Sequence, residues 1–177
     1  MTSRFDAVFV DRDGTLNEKA PEGAYITSPT KLVLIDGVGS GISRLNEAGI
    51  PVYVVTNQRG VARSIMTEDD VVAVNEQLTI LLKEFGAFVD GVYVCPHEIG
   101  VCECRKPMPG LLVRCAADHP PLRLSHSVMI GDTETDITAG NVVGTQTILV
   151  GIISTPTAAD FRVSSFEAAV RIVLSEN

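Results

Sequence analysis

Two aspartates one residue apart, Asp11 and Asp13, close the apolar run Val8-Phe9-Val10, and Gly14 and Thr15 follow at once. Carboxylates grouped at the end of a buried strand are costly unless a cation or a reaction uses their charge. In open α/β sheets, ligands bind beyond the carboxyl ends of the strands. Three later stretches also place reactive groups just past an apolar run. Thr56-Asn57-Gln58 follows residues 52–55, Arg105-Lys106-Pro107 follows the loop after residues 89–94, and Gly131-Asp132, with Asp136 beyond, follows residues 128–130.

These residue types suit phosphoryl transfer to a carboxylate. A phosphate ester and an aspartate repel each other, and a hard cation on oxygen ligands, Mg²⁺ above all, removes the repulsion. Asp11 and Asp132 can supply its carboxylates. Thr56 can donate its hydroxyl to a phosphate oxygen, and Lys106 can neutralise developing charge. Asp11 can attack phosphorus, and Asp13 can protonate the leaving alkoxide and then activate water. Singly, each residue has a blander use: a turn, a strand end, a solvated lysine, a helix N-cap. It is their order, each after a strand-like run, that argues for a site.

Cys95, His97, Cys102 and Cys104 share one ten-residue window, residues 95–104. Three thiolates and an imidazole make a complete tetrahedral Zn²⁺ set with no open position, hence a structural site. Free thiols in a loop are the alternative. Cys115 lies in a helical stretch and reads as a core residue.

The elements that must position these groups alternate. Residues 5–10, 52–55, 89–94, 128–130 and 147–150 read as strands. Residues 37–48, a segment opening at Thr67-Glu68-Asp69-Asp70, and residues 111–117, 132–143 and 166–174 read as helices. The Thr67 and Asp70 pair has the form of a capping box. This alternation predicts an α/β fold, a Rossmann-like three-layer α/β/α parallel sheet. One domain over residues 1–177 is expected, since no repeat, low-complexity tract or linker divides the chain.

The net charge of −8 argues against nucleic acid as a partner, so any anion site must be built locally. No apolar stretch has the length of a membrane span, and the N-terminus carries too short an apolar run for a signal peptide. A cytoplasmic, monomeric protein without membrane or nucleic-acid partners is the expectation.

The set Asp11-x-Asp13-Gly14-Thr15, Thr56 at a strand end, Lys106, and Gly131-Asp132 with Asp136 resembles the four motifs of the haloacid dehalogenase (HAD) superfamily of phosphatases, in order and over nearly the whole chain. The resemblance implies Asp11 as nucleophile and Asp13 as acid/base. It also implies Mg²⁺ held through Asp11, Asp13 and Asp132, with Asp136 in support. Cys95-Pro96-His97 followed by Cys102-x-Cys104-Arg105-Lys106-Pro107 is similar to a zinc-containing subgroup, the D-glycero-D-manno-heptose 1,7-bisphosphate phosphatases and the related histidinol-phosphate phosphatases. Asn17, Thr56-Asn57-Gln58-Arg59 through Arg63, and the Pro107-x-Pro109-Gly110 ending lean toward the heptose group. The short interval from His97 to Cys102, Ser64 in place of a frequent glycine, and Thr133 in place of a basic residue depart from it. A small sugar phosphate is the implied substrate, with Asn17, Asn57, Gln58, Arg59, Arg63 and Arg105 as candidate substrate ligands. A catalytically silent zinc-binding interaction module is the alternative of another class. With 45 positions from Asp11 to Thr56 and 50 from Thr56 to Lys106, both filled by assigned elements, a capless form is expected.

Overall fold

Six strands form one parallel sheet in the computed structural model, which describes residues 5–151 and 156–175. The start of the N-terminal stretch considered for a leader, residues 1–4, lies outside them. The strands are β1 (Ala7–Val10), β2 (Val52–Asn57), β3 (Gly91–Cys95), β4 (Ser127–Gly131), β5 (Gln146–Val150) and β6 (Phe161–Val163). The helices are α1 (Val38–Glu47), α2 (Glu68–Lys83), α3 (Gly110–Asp118), α4 (Glu134–Val143) and α5 (Phe166–Leu174). The order across the sheet is β3-β2-β1-β4-β5-β6. The chain steps outward from β1 to β3, then returns to the other side of β1 for β4. That reversal opens a crevice between β1 and β4 at their carboxyl ends, where such sheets bind ligands.

Side chains alternate across the sheet with the period of two that strands impose. Val8, Val10, Val52, Val54, Val128 and Ile130 face a core made with α1, α2 and α5. Phe9, Tyr53, Val55 and Met129 face the opposite layer, with Leu111, Leu112 and Cys115 of α3 and Ala139 of α4. Burial on both faces is why the central strands read as unbroken apolar runs. At the start of α2, the Asp70 backbone N–H donates to Thr67 Oγ1 at 3.1 Å, and the Thr67 N–H donates to Asp70 Oδ2 at 2.8 Å. The expected capping box forms.

The structure adds a sixth strand. β6 has three residues and sits at the sheet edge, and Arg162 interrupts its apolar pattern, so it has no strand signature of its own. Short 3₁₀ turns at Pro29–Lys31 and Leu124–His126 complete the frame. Among the described residues no separate cap stands over the crevice, because α1, α2 and β3 occupy the two intervals where one could be inserted.

The sheet reaches the crevice through a close approach at the end of β4. A Cβ on Gly131 would lie 2.3 Å from Asp136 Cβ, so only glycine lets α4 start this near the strand. Gly131→Ala is therefore expected to lower unfolding free energy by about 1–3 kcal/mol, the usual cost of overpacking. Urea denaturation of the purified variant measures it.

Candidate active site

Lys106 is buried at the crevice floor, and its ammonium makes three short contacts. It donates to Asp11 Oδ1 at 2.6 Å and to the Val55 carbonyl at 2.7 Å, and it pairs with Asp136 Oδ1 at 2.7 Å. An ammonium has three N–H donors, so its hydrogen-bonding capacity is filled. Those partners come from the ends of β1, β2 and α4. Burial opposes the charge on Lys106, but the two carboxylates outweigh it and hold its pKa above the ordinary lysine value. Burial raises the pKa of Asp11; Asp136 and Asp132 add to the rise, and Lys106 opposes it.

The backbone of Lys106 is fixed as firmly. The Asn57 side chain donates to the Lys106 carbonyl at 3.0 Å and accepts from its N–H at 3.1 Å. One amide thus copies the two-point pairing of a strand neighbour. Asp136 has a second duty, because its Oδ2 accepts from the Thr133 N–H at 3.1 Å and the Thr133 hydroxyl at 2.6 Å, capping α4.

Asp13 occupies a different environment. Arg12, fully buried, grips it with Nε and Nη2, both at 3.0 Å. Arg12 Nη1 reaches Asn75 of α2 at 2.9 Å. Asn17 donates to Asp13 Oδ1 at 3.0 Å, and Gln58 donates to Oδ2 at 2.9 Å. Burial works against ionisation, yet the Arg12 guanidinium and these donors keep the Asp13 carboxyl below its ordinary pKa. Asn17 and Gln58, expected among the substrate ligands, spend both amide hydrogens inside the protein. Asn17 also donates to the Glu18 carbonyl and Gln58 to Thr56 Oγ1. Both are buried supports of Asp13.

One carboxylate oxygen from each of Asp11, Asp132 and Asp136 lies within 4.8 Å of the others, a grouping able to hold a cation. Asp132 Oδ1 is buried without a hydrogen-bond partner among the described residues, as an oxygen awaiting a cation would be. The residues present therefore fit a hard divalent ion. The carboxylate of Asp13, expected as a ligand, is not in this group, because Arg12, Asn17 and Gln58 turn it aside. Asp136, expected only in support, is. Asp11, Asp13, Lys19, Thr56, Lys106, Asp132 and Asp136 line a cleft of about 190 Å³, so the four sequence stretches do converge.

Comparison with known proteins bears on this cleft directly. A family model described as HAD-hydrolase-like matches residues 103–163. A D-glycero-beta-D-manno-heptose-1,7-bisphosphate 7-phosphatase of Yersinia pestis is 35% identical over 147 residues, covering 78% of this chain and 76% of its own. A D-glycero-D-manno-heptose-1,7-bisphosphate 7-phosphatase of Thermosynechococcus vestitus is 43% identical over 156 residues, covering 81% of this chain and 78% of its own. A D,D-heptose 1,7-bisphosphate phosphatase from B. bronchiseptica, crystallised with magnesium and phosphate, superposes with a TM-score of 0.86 at 27% identity, covering 97% of this chain and 99% of that one. The chain belongs to the HAD superfamily of phosphatases, within the heptose bisphosphate phosphatase family.

The Cys/His window lies beside the cleft of this phosphatase. Cys95 Sγ is 3.6 Å from both His97 Nδ1 and Cys102 Sγ, Cys104 Sγ is 3.2 Å from His97 Nδ1, and Cys102 and Cys104 are 3.4 Å apart. A tetrahedron of Zn–S bonds of about 2.3 Å has edges of roughly 3.8 Å, so the donors are spaced for one ion. None of the four cysteines is in a disulfide, so all three thiols of the window are available to an ion. Burial and the neighbouring sulfurs push the Cys104 thiol up to about 12. Burial also acts on Cys102, but hydrogen bonds from the Arg105 and Cys104 backbones bring it down to about 7. Cys115 is buried in the α3 core.

The arginines scatter. Arg105 lines a second cavity of about 560 Å³ that shares Asn57, Lys106 and Thr135 with the cleft. Arg59 is paired with Glu98, and Arg63 is exposed beside Tyr25; neither lines the cleft. Two residues of the site escaped the sequence reading of roles. Arg12 stands between two acids, but its burial could not be read from that. Lys19, whose ammonium pairs with Asp132, lies in a loop with no periodic pattern.

Lys106 is the sole partner cation of Asp11 and Asp136 among the ion pairs described, so its removal leaves two buried carboxylates uncompensated. Lys106→Met is expected to destabilise the metal-free protein by about 3–5 kcal/mol. Urea unfolding in the presence of chelator gives the value.

Proposed function

We propose that this phosphatase removes the 7-phosphate of D-glycero-D-manno-heptose 1,7-bisphosphate through an aspartyl-phosphate on Asp11. The carrying observation is the cleft at the β1/β4 crevice, where a buried lysine, three clustered carboxylates and a separately held Asp13 meet. Family membership supports the sugar. The geometry also leaves room for it: the small cleft suits one phosphoryl group, and the adjoining cavity at Arg105 suits the rest of a sugar phosphate.

In this reading Asp11, Asp132 and Asp136 would hold Mg²⁺, and the B. bronchiseptica phosphatase crystallised with magnesium and phosphate supports that ion, though Asp13 contributes no side-chain ligand. When bound, the ion offsets the repulsion between phosphate and Asp11. Thr56 directs its hydroxyl to a phosphoryl oxygen, and Lys106, its hydrogens spent on Asp11, Asp136 and the Val55 carbonyl, contributes its positive charge beside the developing negative charge. The Asp11 carboxylate attacks phosphorus, and the leaving sugar oxygen takes its proton from Asp13. A phosphate dianion beside Asp13 favours its protonated form at that moment, against the pull of Arg12. Asp13, returned to the carboxylate that its surroundings favour, then accepts a proton from the water that hydrolyses the aspartyl-phosphate.

The four-donor loop at residues 95–104 holds Zn²⁺ in the same reading, and the ion sets the path of the chain into Arg105 and Lys106. The protein acts as one cytoplasmic, monomeric domain over residues 1–177, without nucleic-acid or membrane partners; its net charge of −8 weighs against nucleic acid. Among the described residues no helix is long and apolar enough to cross a membrane. Histidinol phosphate is the second candidate substrate. The short His97–Cys102 interval and Glu103, which places an acid in the Arg105 cavity, favour that cationic alcohol.

Two outcomes are expected. Phosphate release from heptose 1,7-bisphosphate should exceed that from histidinol phosphate by at least about tenfold in kcat/KM, and Asp11→Asn should reduce it to background with fold and zinc content intact. A preference for histidinol phosphate would reverse the choice of substrate, and an unaffected Asp11→Asn would favour the silent zinc module. Protein purified without chelator should carry about one equivalent of zinc, and stripping it should lower both the thermal midpoint and kcat. Elemental analysis showing less than about half an equivalent would count against the four-ligand site.

A further inference from the structure

The two oxygens of Asp132 have unequal surroundings. Oδ1 is buried and has no hydrogen-bond partner among the described residues, whereas Oδ2 is paired with the ammonium of Lys19. The Asp132 side chain is 14% exposed and that of Lys19 50%, so the lysine reaches in from solvent to a nearly buried carboxylate. It does so across Gly14, whose φ is +98°. A Cβ at Gly14 would lie 2.7 Å from Lys19 Cε and 2.5 Å from Asp132 Oδ2, so a side chain there would displace the pair. The terminal torsion of an aspartate is soft and roughly two-fold. A partner on one oxygen is therefore what keeps the carboxylate plane turned in one direction.

We propose that Lys19 is a positioning residue for the divalent cation, holding the outer oxygen of Asp132 so that the inner oxygen points toward Asp11 and Asp136. The inference rests on the assignment of those three carboxylates to Mg²⁺. Outer partners of metal-binding carboxylates typically govern affinity by about 10- to 100-fold. The opposing view is a simple one: an ammonium near a cation repels it, and its removal should tighten binding. The two views predict opposite signs.

Mg²⁺ binding to the substrate-free protein, measured by calorimetry, decides between them. Lys19→Met is expected to weaken Mg²⁺ binding by at least about tenfold. Lys19→Arg, which keeps a charged donor, should stay within about threefold of the unaltered protein. The metal-free thermal midpoint of Lys19→Met, followed by circular dichroism, should change little, since the side chain is half exposed; a purely structural role would move the midpoint and leave Mg²⁺ affinity alone. If Lys19→Met does not fold, Lys19→Gln, neutral but still a donor, takes its place and should bind between the two. Equal or tighter Mg²⁺ binding in Lys19→Met overturns the role of Lys19 and leaves the ion site standing. Absence of Mg²⁺ binding to the unaltered protein at millimolar concentration overturns both.

Discussion

Everything in the cleft is tied to one buried ammonium. Lys106 bonds the nucleophile candidate at the end of β1, a carbonyl of β2 and the capping aspartate of α4. A buried lysine is tolerable only when it is paired and its hydrogens are spent, and both conditions are met here. The converse also holds. Asp11 and Asp136 can be buried together only because a cation lies between them. The chain supplies that cation from a loop that would otherwise be irregular, which explains the effort devoted to fixing it. Asn57 clamps the lysine backbone, and the Cys/His cluster gathers the loop just before it.

This arrangement separates two carboxylates that are neighbours in sequence. Asp11 shares its surroundings with two other acids and one lysine, so burial and like charge act on it together. Asp13 is gripped by Arg12 and by two amides, and it is held as an anion away from the carboxylate cluster. A site that performs nucleophilic and proton-transfer steps with the same residue type needs such a division, because environment alone distinguishes their roles. The strand geometry produces it: residues two apart leave the end of β1 on different paths, one at the crevice and one into the turn that Gly14 permits.

Much of this was legible in the residues. The central strands announce themselves as apolar runs because both of their faces are buried, and the Thr67 and Asp70 cap is a local pattern. The convergence of Asp11, Thr56, Lys106 and Asp132 follows from parallel topology alone. What was not legible depends on partners distant in the chain. Nothing local says that Asn17 and Gln58 turn inward to Asp13, that Arg12 is buried, or that Lys19 crosses Gly14 to reach Asp132. Those are tertiary pairings between polar groups, for which hydrophobic periodicity carries no information. β6 was missed for a related reason: a three-residue edge strand with an arginine at its centre has no alternation to read.

The central claim is that Asp11, and none of the acids around it, becomes covalently attached to the transferred phosphoryl group. Acid quench during turnover, borohydride reduction of the acyl phosphate and mass spectrometry of the resulting peptides test it directly, because reduction converts the phosphorylated aspartate to homoserine. Homoserine at position 11 alone is the predicted result. Homoserine at position 13, 132 or 136, or none at any position while substrate is being turned over, would contradict the account.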